Sequence, residues 1–355
     1  MELKRQSRNA AMDILRCLAL LGVVSLHFFK HSGYYYKIVV GGRMYLLTIL
    51  RSASMVSVPL FLMLSGYLLK NRQPTRQYYC KLVRTVGIYV LASICCYLYR
   101  YVTGAKAVSG GIGELAAMIL SFRAAPYAWY VEMYIGLFLL IPFLNVLYNN
   151  LESRKTKQLL LLVLMIMTAL PGITNSVSEI LPDWWLMLYP VMYYFFGAYL
   201  REYPLKMKNL TSLACTAAVV LTVGIVNILL SLHTSFVLGP WQEEGALLNV
   251  VQAVLVFNYL SQRRYSGLPA GAAKLFASLS DLSLGAYLVS WIFDDIFYNI
   301  LDEIQPVVAY KLEYYPIVIS LICICSLGLS AVIDLVYQML TRLSAAMFCR
   351  KESDA

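Results

Sequence analysis

Met12–Phe29 reads MDILRCLALLGVVSLHFF, a nearly continuous apolar run of about the length a helix needs to cross a bilayer. Asp13 and Arg16 stand near its first end and His27 near its last, with Arg16 and His27 11 residues apart. At ~100° per residue that spacing leaves a net rotation of roughly 20°, and at about 1.5 Å per residue an axial separation of about 16 Å. The stretch is therefore read as a transmembrane helix with a cation and an imidazole on one face. An ionisable group within a span costs at least ~2.5 kcal/mol and turns toward a cavity or a partner, which marks it as a candidate functional group. The plainer reading has Asp13 and Arg16 snorkelling at the interface and His27 bonded at a helix contact. The shared face favours the first.

Composition extends this to the whole chain. Of 355 residues, 60 % are hydrophobic and 14 % charged, against about a quarter charged in soluble domains, and the mean hydropathy is +0.67. The expected fold is all-α: one polytopic membrane bundle of about ten transmembrane helices with both termini cytoplasmic. Residues 1–11 form a short cytoplasmic segment, 12–342 the membrane domain and 343–355 a cytoplasmic tail. Met1–Arg8 is basic and no small-residue cleavage site follows, so the first apolar run is read as a permanent span.

The net charge of +10 is distributed by topology. With ten spans, twenty of the 29 Lys and Arg fall on one side, in clusters at residues 4–8, 70–84, 154–157, 201–208, 263–274 and 342–351. Eight, Lys30, Lys37, Arg43, Arg51, Arg100, Lys106, Arg123 and Lys311, fall on the other, and Arg16 lies within a span. The positive-inside rule places the richer side in the cytoplasm. The basic balance thus calls for no nucleic-acid partner. Eight cysteines, mostly in apolar runs and without a C-x-x-C pair, suggest neither a disulfide framework nor a metal site.

In chain order the expected spans are 12–29, 45–69, 82–101, 127–148, 158–173, 184–200, 210–232, 245–260, 279–301 and 315–340. Pro59 and Gly66 are expected to kink or thin the second. Glu114–Phe122 is too short to cross and reads as interfacial or re-entrant. Glu132 lies in the fourth span, Asp294-Asp295 in the ninth and Asp334 in the tenth. Short loops and the lack of a soluble domain put any chemistry inside the bundle or at its mouths.

Phosphate-loop, H-E-x-x-H and G-x-S-x-G motifs are absent, which argues against nucleotide hydrolysis, zinc proteolysis and a serine-elbow hydrolase. Of three histidines, His31 follows the first span and His233 falls at a loop. His27 remains as the intramembrane proton acceptor, histidine being the side chain whose unperturbed pKa, about 6.5, suits taking a proton from a hydroxyl near neutral pH. Arg16 offers planar donors for a phosphate or carbonyl oxygen, and Lys81 and Arg84, three apart on one helix face, enlarge that positive mouth. A transporter with a proton-relay histidine would show the same features.

At these residues the sequence resembles the acyltransferase 3 family of ten-span membrane enzymes. D-x-x-R at Asp13 and Arg16 followed by His27, P-L-F-L-M-L-S-G-Y-L-L (Pro59–Leu69), W-Y-V-E-M-Y-I-G-L-F-L-L-I-P (Trp129–Pro142) and S-L-G-A-Y-L-V-S (Ser283–Ser290) occur in the family's order. The resemblance implies transfer of an acyl group, commonly acetyl, from acyl-coenzyme A to a hydroxyl of a cell-envelope glycan or lipid-linked sugar in the plasma membrane. It implies no tightly bound cofactor. It casts His27 in catalysis and Arg16 in donor handling. The family's R-x-x-R stands here as Lys81-x-x-Arg84, with charge kept and bidentate geometry lost at the first position. Tyr127 and Ser290 stand where many members carry histidine, and Glu132 is the candidate second catalytic group. Ser65, Trp129 and Tyr130 are expected to shape the cavity with Asp13. The rival expectation is an exporter or flippase of a lipid-linked or polysaccharide intermediate; the lack of a repeat pair with broken helices speaks against it.

Overall fold

The first helix begins where Asn9 can cap it. Its side-chain oxygen accepts from the Ala11 amide, and helix α1 runs Ala10–His31, as a short polar residue before an apolar run dictates. In this computed structural model the described residues are 8–105, 108–175, 178, 180–239, 243–263, 265 and 267–353. Lys4, Arg5, Lys106 and Arg264 lie outside them, as do 1–7 of the N-terminal segment and 354–355 of the tail. The helices that follow are α2 (Gly42–Ser54), α3 (Ser57–Leu69), α4 (Arg76–Tyr79), α5 (Leu82–Thr103) and α6 (Ile112–Leu120). Then come α7 (Trp129–Asn149), α8 (Arg154–Thr174), α9 (Tyr189–Glu202), α10 (Asn209–Ser231), α11 (Leu247–Ser261), α12 (Ala270–Ile304) and α13 (Tyr315–Ser353). Among the described residues there is no strand, only isolated bridges joining Ile38 to Ser235 and Val39 to Leu232.

Eight stretches are long and apolar enough to cross a membrane: Ala10–His31, Gly42–Leu69, Arg76–Thr103, Trp129–Asn149, Arg154–Thr174, Asn209–Ser231, Ala270–Ile304 and Tyr315–Ser344. The expected sixth and eighth spans fall short. They appear as α9, of 14 residues, and α11, of 15, which reach ~21–23 Å against a hydrocarbon core of about 30 Å. In α11 the buried positions include Asn249, Gln252, Ala253 and Phe257, while Leu247 and Val251 are exposed. Most of α9 is buried, with Tyr193, Tyr194 and Met192 sealed from solvent.

The chain divides into two units. The first comprises residues 1–73, 141–280 and 305–315, the second 74–140, 281–304 and 316–355. In the first unit α3 lies directly on α9. A Cβ on Gly66 would come within 1.8 Å of the Tyr194 carbonyl oxygen, and one on Gly197 within 1.9 Å of that of Met63. Glycine at both positions is what lets the two backbones touch. The interruption expected near Pro59 occurs instead at Met55-Val56, between α2 and α3. Pro59 falls in the first turn of α3, where its missing N–H is no loss. The break has its own cause. Ser52 and Ser54 turn their hydroxyls back onto the carbonyls of Thr48 and Leu50 (2.8 Å each), a pattern that bends helices. Gln252 of α11 then donates to the freed carbonyls of Ser52 and Ala53 at 3.0 and 3.3 Å.

In the second unit α5 packs on α12 and α13. A Cβ on Gly285 would strike Ser330, whose hydroxyl already donates to the Leu282 carbonyl at 2.7 Å. Tyr127 and Tyr287 stack at 6.2 Å, and the Tyr287 hydroxyl donates to the Tyr127 carbonyl at 2.6 Å. These bonds pin the segment that leads into α7.

Candidate functional site

The first unit carries Asp13, Arg16, His27 and Ser65. Asp13 is buried and is held by Arg8, whose Nε and Nη2 donate to its two oxygens at 2.7 and 2.8 Å. That two-pronged pairing neutralises the acid in the first turn of α1, so Asp13 is a fixed structural group. Arg8 also donates to the Ala277 carbonyl at 2.8 Å. One turn on, Arg16 reaches the opening of α12 and its Nη1 donates to the Ser280 hydroxyl at 2.7 Å. A neutral hydroxyl leaves the guanidinium its full charge. His27 is half-buried on the same helix, with its Nδ1 enclosed, and lies between the buried Ser25 and Phe28. Ser65 turns its hydroxyl onto its own helix, donating to the Phe61 carbonyl at 3.1 Å. This bond explains its place in α3 without a ligand.

The second unit carries Lys81, Arg84, Glu132, Trp129 and Tyr130. Lys81 is the residue before α5 and Arg84 sits in its first turn. Both line a cavity of about 340 Å³ together with Thr85, Asp281, Ser330 and Asp334. The three-residue spacing thus delivers both cations to one cleft. The cleft also contains two carboxylates, and Arg84 Nη2 donates to Asp334 Oδ1 at 2.8 Å. Glu132 and Trp129 are exposed at the start of α7. Tyr130 is half-buried, edge-on to Trp129 at 6.0 Å and to Tyr287 at 5.9 Å. Of the two aromatics expected to shape a cavity, Tyr130 is therefore the one built into the packing.

Several charged groups at buried positions were not assigned a role from the sequence. Asp294 is fully buried in α12 and accepts from the Tyr127 hydroxyl at 2.6 Å. Tyr127, which stands where the resemblance suggested histidine, is thus tied to a carboxylate one turn beyond Ser290. The i, i+4 spacing of Ser290 and Asp294 was the available signal. Arg51, Arg100 and Lys311, counted from the sequence among the eight cations of the outer side, are buried. Glu202, at the far end of α9, receives Lys70 at 2.5 Å and Lys157 at 2.8 Å. Burial alone would raise its pKa, but bonds from Lys157, Lys70 and Tyr203 overcome this and hold it at about 2.

Residues 9–335 match a family model, Acyl_transf_3, described as an acyltransferase domain. No curated protein and no solved structure matches the chain. A match over nearly the whole length, on an all-helical chain with eight helices able to cross a membrane, carries one conclusion. The protein belongs to the acyltransferase 3 family and is a membrane acyltransferase.

Proposed function

We propose that the protein transfers an acyl group, acetyl in the first instance, from acyl-coenzyme A to a hydroxyl of a cell-envelope glycan or lipid-linked sugar in the plasma membrane. The observation that carries this reading is the pair on α1: a charged Arg16 held by a neutral hydroxyl, and His27 on the same face of one helix. Ten spans with cytoplasmic termini is the topology that the charge distribution supports. In this reading Arg16 is assigned to donor handling on the cytoplasmic side, and Lys81 and Arg84, which line the second unit's cleft, are likewise assigned to donor binding. Coenzyme A is a co-substrate and not a resident cofactor.

The chemistry asked of His27 is general-base work. Its imidazole takes the proton of the acceptor hydroxyl as the oxygen attacks the thioester carbonyl. The carbon–sulfur bond breaks, the acyl group ends on the acceptor oxygen, and the thiolate of coenzyme A leaves and is protonated. Such a base contributes roughly 10²–10⁴ in rate. Glu132 is exposed, and any part it takes is at the mouth of the site. The test is purified protein in lipid nanodiscs supplied with radiolabelled acetyl-coenzyme A and an envelope glycan fraction. Label is expected in the glycan; export of unmodified glycan without transfer would overturn the proposal.

A further inference from the structure

Arg51 lies in the last turn of α2, within the span expected at 45–69 and counted from the sequence among the outer-side cations, and the residue is only 4 % exposed. Nε donates to the Tyr35 hydroxyl at 3.3 Å. The guanidinium carbon lies 4.6 Å from the centre of the Phe236 ring and 5.7 Å from that of Tyr35. Nη1 is enclosed and has no hydrogen-bond partner among the described residues, and no carboxylate there forms an ion pair with Arg51. The carbonyls of the next two residues, Ser52 and Ala53, accept from the Gln252 amide nitrogen, while Gln252 Oε1 is likewise buried without a partner among the described residues.

A buried guanidinium without a countercharge is costly, and removing it from water is repaid only by good pairing. Two aromatic rings and the C-terminal end of α2 offset part of that cost. They leave the charge in place and an N–H unused, in a fold that otherwise pairs its buried cations: Lys157 with Glu202, Lys311 with the Ser32 carbonyl. The cover over Arg51 is made of two loops. Tyr35 comes from the turn after α1 and Phe236 from the turn after α10, and the turns are joined by the Val39 amide donating to the Thr234 carbonyl at 2.8 Å. A planar donor within a ring of aromatics matches an anionic group carried on a sugar, since the faces stack on the ring and the fork meets the oxygens.

We propose that Arg51 is an anion receptor, taking a single carboxylate or phosphate of an acidic glycan beneath Tyr35 and Phe236. That this glycan is the acyl acceptor rests on the function proposed above; the anion site does not. The experiment is isothermal titration of the full chain in phosphatidylcholine nanodiscs with glucuronate, glucose 1-phosphate and methyl glucoside. Saturable binding of one or both anions, and none of the neutral sugar, is expected. Which anion binds tells the carboxylate source from the phosphate one. Arg51→Gln should raise Kd at least about tenfold, since a hydrogen bond to a charged group is worth that much, and Arg51→Lys about three- to tenfold. Should Arg51→Gln fail to fold, Arg51→Lys decides. No saturable anion binding by the wild type, or an affinity unchanged in the decisive variant, overturns the site. Coenzyme A titrated into the same samples keeps the two readings apart. Its binding without anion binding sinks the Arg51 site alone, and its failure to bind sinks the donor reading alone.

Discussion

Arg84 donates to Asp334 at 2.8 Å inside the second unit's cleft, so a cation proposed to receive the donor already carries a carboxylate. Donor phosphates must displace Asp334 or share the guanidinium with it. Asp334 also accepts from Gln338 at 2.8 Å, which holds the acid in place. Asp334→Asn should therefore lower KM for acetyl-coenzyme A by about three- to tenfold at low ionic strength, with kcat little changed, since a partly exposed pair is worth up to about 1 kcal/mol and a repulsive charge is removed as well. The advantage should shrink as salt screens it. Steady-state kinetics at two ionic strengths check this, and an unchanged KM would remove Arg84 from the donor site.

His27→Gln should cut kcat by roughly 10²–10⁴ while leaving coenzyme A affinity within about twofold, because a lost base acts on the chemical step. Single-turnover transfer of labelled acetyl, paired with a coenzyme A titration, separates the two effects. Wild-type turnover in this variant would end the role given to His27.

Gly66→Ala and Gly197→Ala should each destabilise the first unit by about 1–3 kcal/mol or more, since the added methyl meets backbone that cannot swing aside. Gly113→Ala, with open space around it, is the control and should be silent. Thermal unfolding followed by size-exclusion fluorescence reads all three.

Glu202 gives a pH dependence with a definite sign. Its folded pKa, about 2, lies below the ordinary 4.5, so the stability it supplies is fully present above about pH 4.5 and is lost as pH falls toward 2. The difference in melting temperature between wild type and Glu202→Gln should be constant near neutrality and close over that acid window. A gap that persists at pH 2 would show that Glu202 acts by packing and not by charge.

Much of this was legible in the chain. The Arg16–His27 face follows from spacing alone, and α1 carries both residues. The Lys81–Arg84 spacing delivered both cations to one cleft. The cleft's acidity was not legible, because nothing local tells which of many cations Asp334 will meet 250 residues away. The α2–α3 break escaped for a related reason: serine hydroxyls and a distant glutamine make it, where the eye goes to Pro59. The burial of Arg51 was not legible, because counting it toward one side of the membrane says nothing of Phe236, 185 positions later, which lies over its guanidinium.

The contact of α3 with α9 has a mechanical corollary. With Gly66 seated on one carbonyl and Gly197 on another, the two rods are keyed: sliding either by a single turn would drive a side chain into its neighbour's main chain. Any change of shape in this unit must then keep that register and fall on segments outside the two rods.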